Sequence, residues 1–369
     1  MIICSNPLAQ YQANKDDIDA AIARVLNGGR YILGEEVRAF EKAFARHVGV
    51  PYGIGVGSGT EALHLALVAC GVGEGDEVIT VSHTAVATVA AIELAGARPV
   101  LIDIDPHHYT MDPLKLEQAL TPQTKAVIPV HLYGQPADME AIMELRRRFG
   151  FRIIEDCAQA HGAFHGDKRV GSFGDMGCFS FYPTKNLGAL GDGGMVVTGN
   201  TDLARRAASL REYGWAERYV SRERGWNTRL DELQAAVLNV KLPNLDQNNA
   251  RRVEIARAYT SRLEGTPLRC PRERAGTTPV FHLYVVSCDD RDHLSDHLQR
   301  SGVGALIHYP VPVHLQPAYA GRLRLGGGLQ ETERAAREVL SLPLYPELES
   351  GQLDRVIAVV RGFYGKEDH

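Results

Sequence analysis

Between residues 52 and 156 the chain alternates short apolar runs with amphipathic helical patterns, and this alternation constrains the fold more than any other feature of the sequence. The apolar runs include EVITV at 77–81, RPVLIDI at 98–104 and FRIIED at 151–156. Runs of four to six apolar residues separated by helices are typical of a mainly parallel sheet that is covered on both faces. We therefore expect an α/β fold for this half of the chain.

The pattern changes in the second half. Residues 228–264 form one long helical pattern, which Pro243 is expected to kink. A loop-rich stretch and one strand pattern, FHLYVVSC, come next. Three further helical patterns start near Asp290, Glu331 and Ser350. This order predicts a large α/β domain over residues 1–245 and a smaller α+β domain over residues 246–369, joined by the long helix.

Charge and composition exclude several classes of protein. The 40 Lys and Arg against 45 Asp and Glu give a net charge of −5, so the chain lacks the basic excess of a nucleic-acid-binding protein. Glu93 and Arg98 interrupt the most apolar long window, residues 84–102, and the N-terminus has no signal-peptide pattern. We expect neither a membrane span nor a nucleic-acid partner. Six scattered cysteines without a CxxC pair favour reduced thiols and a cytoplasmic location.

A glycine-rich segment, GIGVGSGT, starts at Gly53. It is not a dinucleotide fingerprint, because Ser58 and Thr60 stand where the two possible GxGxxG frames require glycine. A strand followed by Ser58-Gly59-Thr60 and a helix remains. The first N–H groups of a helix have no intrahelical partner and can bind a phosphate. An ordinary helix N-cap is the alternative.

The segment EDCAQAHGA begins where an apolar strand ends, at the edge where open α/β sheets bind ligands. It places Asp156 at that edge, and a carboxylate there needs a partner. His161 and His165 stand four residues apart, as a metal-binding pair could. However, Gly162 and Gly166 disfavour a helix, and no third ligand is near in sequence. We therefore predict no metal site.

Lys185 follows the apolar strand pattern CFSFY and lies between Pro183 and a glycine-rich return. A lysine after a strand is usually a solvated surface residue. Here a tightly held backbone could desolvate the amine, and a desolvated lysine amine can bond to a carbonyl carbon. The residues alone leave both interpretations open.

Four motifs in order resemble those of the sugar aminotransferases typified by DegT, DnrJ, EryC1 and StrS: SGTEAL, EDCAQAHGA, FSFYPTKNLGALGDGG and GWNTRLDELQAA. Within that family, HTAVATVAAI and HLYGQPADM are most similar to the subgroup that aminates C-3 of dTDP-linked keto-deoxyhexoses. The resemblance implies an aspartate-aminotransferase-type fold (PLP fold type I), pyridoxal 5′-phosphate (PLP) as cofactor, and a homodimer with shared active sites. It also implies amino transfer from L-glutamate to a nucleotide-linked 3-keto-6-deoxyhexose, giving a 3-amino-3,6-dideoxyhexose.

The same resemblance assigns roles to individual residues. It implies that Lys185 binds the cofactor aldehyde and moves protons, that Asp156 pairs with the pyridinium nitrogen, and that Gln159 lies beside the ring hydroxyl. The remaining cofactor contacts that it implies are Gly59, Thr60 and Ser180 at the phosphate, and Asn227 from the partner subunit. Many relatives carry an aromatic ring where this chain has Ala85. His83 is the nearest candidate to stack on the cofactor, with substrate contact or a structural role as alternatives.

For the nucleotide-sugar, the resemblance points to Tyr182, Arg218 across the interface, His308, Tyr309 and His314. A turn packed by its aromatic ring is the alternative for His308 and Tyr309. A diphosphate bound to a chain of net charge −5 requires local positive donors.

Three other functions compete with C-3 amination. They are C-4 amination within the same family, a non-catalytic regulatory role, and PLP-dependent dehydration of the sugar. The dehydratases of the family replace the lysine with histidine, so Lys185 disfavours dehydration. The intact set of Asp156, Gln159 and Lys185 favours a catalytic role.

Overall fold

The protein is represented by a computed structural model that describes residues 1–365. The helices are α1 (Pro7–Ala13), α2 (Lys15–Gly28), α3 (Glu35–Val48), α4 (Gly59–Ala69), α5 (Val86–Leu94), α6 (Pro113–Ala119), α7 (Met139–Phe149), α8 (Thr201–Leu210), α9 (Glu232–Lys241), α10 (Leu245–Arg262), α11 (Arg291–Arg300), α12 (Gln330–Glu338) and α13 (Ser350–Tyr364). The strands are β1 (Tyr52–Val56), β2 (Glu77–Val81), β3 (Arg98–Ile102), β4 (Thr124–Val127), β5 (Arg152–Asp156), β6 (Phe164–His165), β7 (Lys168–Arg169), β8 (Met176–Ser180), β9 (Gly194–Thr198), β10 (Trp215–Glu217), β11 (Val220–Ser221), β12 (Thr277–Thr278), β13 (Tyr284–Ser287), β14 (Arg324–Leu325) and β15 (Val339–Leu342). Within these residues no helix has both the length and the apolar character needed to cross a membrane.

The central sheet has eight strands in the order β1-β9-β8-β5-β4-β2-β3-β14. The pairs from β8 through β5, β4, β2 and β3 to β14 are parallel, whereas β9 runs antiparallel to both of its neighbours. Because β9 is antiparallel to both β1 and β8, β1 and β8 run in the same direction. The carboxyl ends of β1, β8, β5 and β2 therefore lie along one edge of the sheet.

Apolar side chains cover both faces of this sheet. On one face α4, which is apolar almost all round, packs on strand residues such as Cys178 and Val196. On the other face Phe179 and Val197 pack with Phe44 of α3 and Leu238 of α9. Strands β2, β3 and β4 are enclosed in the same way by α6 and α7. The near-continuous apolar strands follow from this two-sided burial.

The alternation read from the sequence is confirmed, and β2 coincides with the predicted run 77–81. The run 98–104 ends early, at Ile102, because the Asp103 carboxylate leaves the strand and accepts backbone N–H groups at the start of α12. The long helical pattern over 228–264 is present, and the kink predicted at Pro243 is confirmed. The pattern consists of α9 and α10, and a 3-10 turn over Leu242–Asn244 that contains Pro243 separates them.

The chain after α9 builds a second apolar core. Its members come from α10, α11, α13 and the antiparallel pair β13–β15, and the three predicted C-terminal helices are α11, α12 and α13. Many contacts cross the predicted boundary near residue 245, among them the pairing of β12 with β6. Ile2 at the N-terminus pairs with Val303, and β14 extends the edge of the large sheet beside β3.

Candidate active site

Four loops converge at the carboxyl edge of the sheet, because the parallel strands that precede them all end there. They follow β1, β2, β5 and β8. The glycine-rich turn and His83 lie in the first two of these loops, and Asp156 and Ser180 are the last residues of β5 and β8. The site residues that the sequence separates by about 120 positions are thus brought to one edge by the strand order.

The turn into α4 approaches β8 closely at Gly59. A Cβ added at Gly59 would lie 2.6 Å from the Cβ of Ser180, a distance that real side chains do not tolerate. Ser58 caps the helix, and its Oγ accepts the N–H of Glu61 at 3.2 Å. The N–H groups of Gly59 and Thr60 have no intrahelical acceptor and carry the positive end of the helix dipole. Gly59, Thr60 and Ser180 therefore form a cradle that suits a phosphate.

Asp156 ends β5 as a buried carboxylate. Thr88 Oγ1 donates to one of its oxygens at 2.8 Å, and the Ala158 N–H donates to the other at 3.2 Å. Burial raises the pKa of Asp156, and these two donors and the Lys185 ammonium oppose the rise. A positively charged partner is what would hold this buried carboxylate in its ionised form.

Lys185 lies in the loop after β8, close enough to Asp156 for the two charges to interact. Burial lowers the pKa of its amine to about 8, and the Asp156 carboxylate opposes the shift. The backbone N–H of Lys185 donates to the Tyr182 carbonyl at 2.8 Å. A Cβ added at Gly188 would lie 2.4 Å from the Pro183 carbonyl oxygen. The loop is therefore as tight as its proline and glycines indicate, and Lys185 is half-buried in it.

Side chains behind the loop fix its backbone. The Asn186 amide donates to Asn249 Oδ1 at 2.9 Å and to the Val280 carbonyl at 3.1 Å. Lys241 Nζ donates to the Gly188 carbonyl at 2.5 Å. Neither Asn186 nor Lys241 was singled out from the sequence, since their partners lie about 50 to 95 residues away.

Gln159 links the large domain to the loop that carries His308 and Tyr309. Its Oε1 accepts the Tyr133 N–H at 2.7 Å, and its Nε2 donates to the Tyr309 hydroxyl at 3.0 Å. Burial raises the pKa of Tyr309 to about 12 and lowers that of His308 to about 4. His308 Nδ1 lies 2.8 Å from Ser341 Oγ. Gln159, His308 and Tyr309 thus lie together in the structure.

The other predicted contacts on this side occupy different positions. His83 is fully buried, and its Nε2 lies 2.7 Å from the Tyr133 hydroxyl. The His314 ring lies between Ser82 Oγ at 2.7 Å and Glu333 Oε1 at 3.3 Å. These two contacts hold the ring within the fold. Tyr182 is 53% exposed beside the Lys185 loop, so its ring is available to a ligand.

Arg218 and Asn227 lie on the outer face of the protein. The Arg218 guanidinium stacks 5.0 Å from the Tyr219 ring, and Asn227 is exposed. Arg218 also lines an open cavity of about 1130 Å³, together with Arg30, Arg38 and Arg229. In the single chain neither residue is placed with Lys185 by any contact between described residues.

One buried group has the composition of a metal site. Ligand atoms of His131, Glu155 and Cys157 lie within 4.8 Å of one another. Both Glu155 oxygens already accept hydrogen bonds, Oε1 from Phe173 and Gly174 and Oε2 from Gly171 and His131. His131 Nδ1 accepts the Ala137 N–H at 3.0 Å. The His131 nitrogens and the Glu155 oxygens therefore already have hydrogen-bond partners, as in a structural network.

Comparison with known proteins gives a match over nearly the whole chain. The model of the DegT/DnrJ/EryC1/StrS aminotransferase family matches residues 12–361. A Streptomyces venezuelae protein named dTDP-3-amino-3,4,6-trideoxy-alpha-D-glucose transaminase is 49% identical over 361 residues, 98% of this chain and 95% of the relative. An Acidithiobacillus ferrooxidans protein named as a UDP-N-acetyl-3-dehydro-alpha-D-glucosamine 3-aminotransferase is 44% identical over 353 residues, 96% of this chain and 95% of the relative.

Among solved structures, S. venezuelae DesV in complex with a ketimine intermediate superposes with a TM-score of 0.97. It is 48% identical, and the match covers 100% of this chain and 99% of that one. The likeness confirms the fold class expected from the motifs, a mostly parallel sheet domain with a smaller C-terminal α+β part.

Proposed function

The chain belongs to the DegT/DnrJ/EryC1/StrS aminotransferase family, and on that premise we propose that it moves an amino group from L-glutamate to C-3 of a dTDP-linked 3-keto-6-deoxyhexose. The observation that carries amino transfer is that a buried carboxylate, Asp156, and an amine whose pKa is lowered by burial, Lys185, influence each other's charge at the edge of the sheet. The nucleotide and the position on the sugar are supported by the relative from S. venezuelae.

The site fits PLP in both its shape and its charges. Gly59, Thr60 and Ser180 form a cradle that a single added Cβ would fill, and a helix N-terminus suits a phosphate dianion. Asp156 offers the negative charge that a protonated pyridine nitrogen needs, and Lys185 is the amine that can bond to the aldehyde. When bound, PLP supplies an electron sink for the carbon that loses its proton.

The chain's own residues then perform three tasks. Asp156 keeps the proton on the ring nitrogen through its negative charge. Lys185 Nζ can take up and return a proton near neutral pH, because burial has lowered its pKa to about 8. Gln159, Tyr309 and His308 orient the substrate side, since Gln159 fixes the Tyr309 hydroxyl.

The choice of C-3 is tested with defined keto-sugars. We expect the dTDP-linked 3-keto-6-deoxyhexose to be aminated with a kcat/KM at least about a hundredfold above that of its 4-keto isomer, with L-glutamate as donor. Binding of the nucleotide sets the distance from the diphosphate to Lys185. A 4-keto group on a sugar bound in the same way would therefore not lie in line with the reacting amine. Product NMR identifies the carbon that bears nitrogen.

A UDP-linked 3-keto sugar and the Lys185→Ala variant are the controls for this assay. Amination of the 4-keto sugar alone would make the C-4 alternative correct and leave amino transfer intact. Equal turnover of the UDP-linked sugar would replace the dTDP assignment. Absence of turnover with every sugar, in protein that binds PLP, would favour the regulatory alternative.

We also propose a homodimer with shared active sites and a cytoplasmic location. The face around β10 and β11 exposes large apolar groups, including Tyr219 at 73% and Val220 at 56%, which is typical of an interaction surface. Asn227 and the basic groups Arg218 and Arg229 border this face, where they are available to the site of a second copy. The six cysteines are unpaired, which supports a reducing compartment.

Subunit mixing tests the shared site. Lys185→Ala and Asn227→Asp chains, each inactive alone, are expected to recover about a quarter of wild-type activity after random exchange, because half of the dimers carry one intact site. A Lys185→Ala and Asp156→Asn mixture is the matched control, since both residues belong to one chain's site and should give no recovery. Equal behaviour of the two mixtures would place Asn227 in its own chain's site.

A further inference from the structure

We infer that Tyr133 is a positioning residue that holds the His308–Tyr309 loop in register with the cofactor side of the site; the inference rests on the function proposed above. Tyr133 is buried at the turn after β4, with a left-handed backbone at φ 60°. It lies in the HLYGQPADM segment, but the sequence analysis gave it no role of its own.

The hydrogen bonds of its hydroxyl group have only one consistent order. The His308 carbonyl oxygen can only accept, so the hydroxyl must donate its single proton there. The hydroxyl lone pair then accepts from His83 Nε2–H, 2.7 Å away. His83 Nδ1 is buried without a partner among the described residues, as expected for a neutral ring that carries its proton on Nε2. Burial lowers the pKa of His83 to about 4, which agrees with that neutral form.

The backbone of Tyr133 connects to the same loop by a second route. Its N–H donates to Gln159 Oε1 at 2.7 Å, and Gln159 Nε2 donates to the Tyr309 hydroxyl at 3.0 Å. One residue therefore fixes the carbonyl of His308 directly and the side chain of Tyr309 through Gln159. The two loop residues come from the C-terminal part of the chain, and Tyr133 comes from the sheet domain.

Tyr109 supplies a matched control. Its ring lies 6.0 Å from His83, the same separation as the Tyr133 ring, and it too has a left-handed backbone, at φ 58°. Within residues 1–365 its hydroxyl makes no hydrogen bond to His308, and Ser287 influences its pKa instead. Tyr133→Phe and Tyr109→Phe each remove one hydroxyl from the same aromatic cluster. Only Tyr133→Phe removes a hydrogen bond to the loop that carries His308 and Tyr309.

The test compares the two variants as PLP-loaded enzymes. We expect Tyr133→Phe to speed hydrogen exchange in the peptide spanning residues 303–311 about tenfold and to raise the KM for the keto-sugar by a similar factor, with kcat and the cofactor spectrum close to wild type. Tyr109→Phe should leave both quantities unchanged. If Tyr133→Phe does not fold, 3-fluorotyrosine at position 133 keeps the hydroxyl as a stronger donor and should slow that exchange.

Equal exchange in Tyr133→Phe and wild type would overturn the inference, as would the same increase in Tyr109→Phe. A fall in kcat at unchanged KM would also overturn it, because that split indicates a role in the chemical step. If wild-type enzyme aminates no keto-sugar, the proposed function fails, yet the exchange comparison still decides the role of Tyr133.

Discussion

Replacing Lys185 with alanine is expected to lower turnover at least about a thousandfold while PLP binding is largely retained. The phosphate cradle at Gly59 and Ser180 and the carboxylate of Asp156 are separate from the amine, so they still hold the cofactor. Borohydride treatment of wild-type enzyme should fix the cofactor to Lys185, and peptide mapping locates the label. A label on any other lysine would refute the assignment.

Lys241 is the matched control, because burial lowers its pKa to about 8 as well. Its amine is already engaged, donating to Gln10 Oε1 at 3.0 Å and to the Gly188 carbonyl at 2.5 Å. Lys185 Nζ makes no hydrogen bond to any residue between 1 and 365 and faces Asp156 instead. Lys241→Met should therefore destabilise the fold and leave borohydride labelling of Lys185 in place.

The lowered pKa of Lys185 also predicts how cofactor-free enzyme takes up PLP. Only the neutral amine attacks an aldehyde, so the rate of colour development should rise with pH and level off above about pH 8. At pH 7.5 about a quarter of an amine with this pKa is neutral, against about one in a thousand for an ordinary lysine. Stopped-flow absorbance measures the rate, and a rise that continues beyond pH 10 would contradict the desolvation of Lys185.

Strands β2, β3 and β5 could be predicted to within two residues at each end, because burial on both faces leaves mainly apolar runs such as Glu77–Val81. Elements with little apolar periodicity could not. Helix α1 has seven residues and buries only Gln10, and the two-residue strand β14 exists only because β3 offers it an edge. The reversal of β9 leaves no trace in its sequence, since a central strand is apolar in either direction.

The residues of the candidate site also differ in how well the sequence predicts them. Asp156 and Lys185 were predicted because each lies in a motif next to a strand end, and the carboxyl ends of parallel strands meet at one edge. The contacts that position them join distant parts of the chain. Tyr133 and His308 are 175 residues apart, and no local sequence pattern connects them.

Asp156→Asn is expected to lower kcat at least about a hundredfold with little change in the free energy of unfolding. Asparagine keeps the shape of the side chain, its oxygen can accept the Ala158 N–H, and its NH₂ can donate to the Thr88 hydroxyl, which can accept as well as donate. The substitution removes only the charge opposite the ring nitrogen. Burial raises the pKa of Asp156, so the carboxylate is costly to bury in the unloaded protein and its loss should not weaken folding. Kinetics with the dTDP-linked keto-sugar and chemical denaturation measure the two effects.

Glu155→Gln, one position earlier, should show the opposite pattern. Both Glu155 oxygens accept backbone N–H groups, from Gly171 on one side and from Phe173 and Gly174 on the other. A glutamine NH₂ would oppose at least one of these donors, at a cost of about 1–3 kcal/mol in stability. Glu155 accepts hydrogen bonds from His131 and from this loop, whereas Asp156 is the carboxylate near Lys185. Neutralising Glu155 should therefore reduce stability more than kcat. If the two variants lost kcat equally, the charge of Asp156 would have no special role, and its place opposite the ring nitrogen would have to be given up.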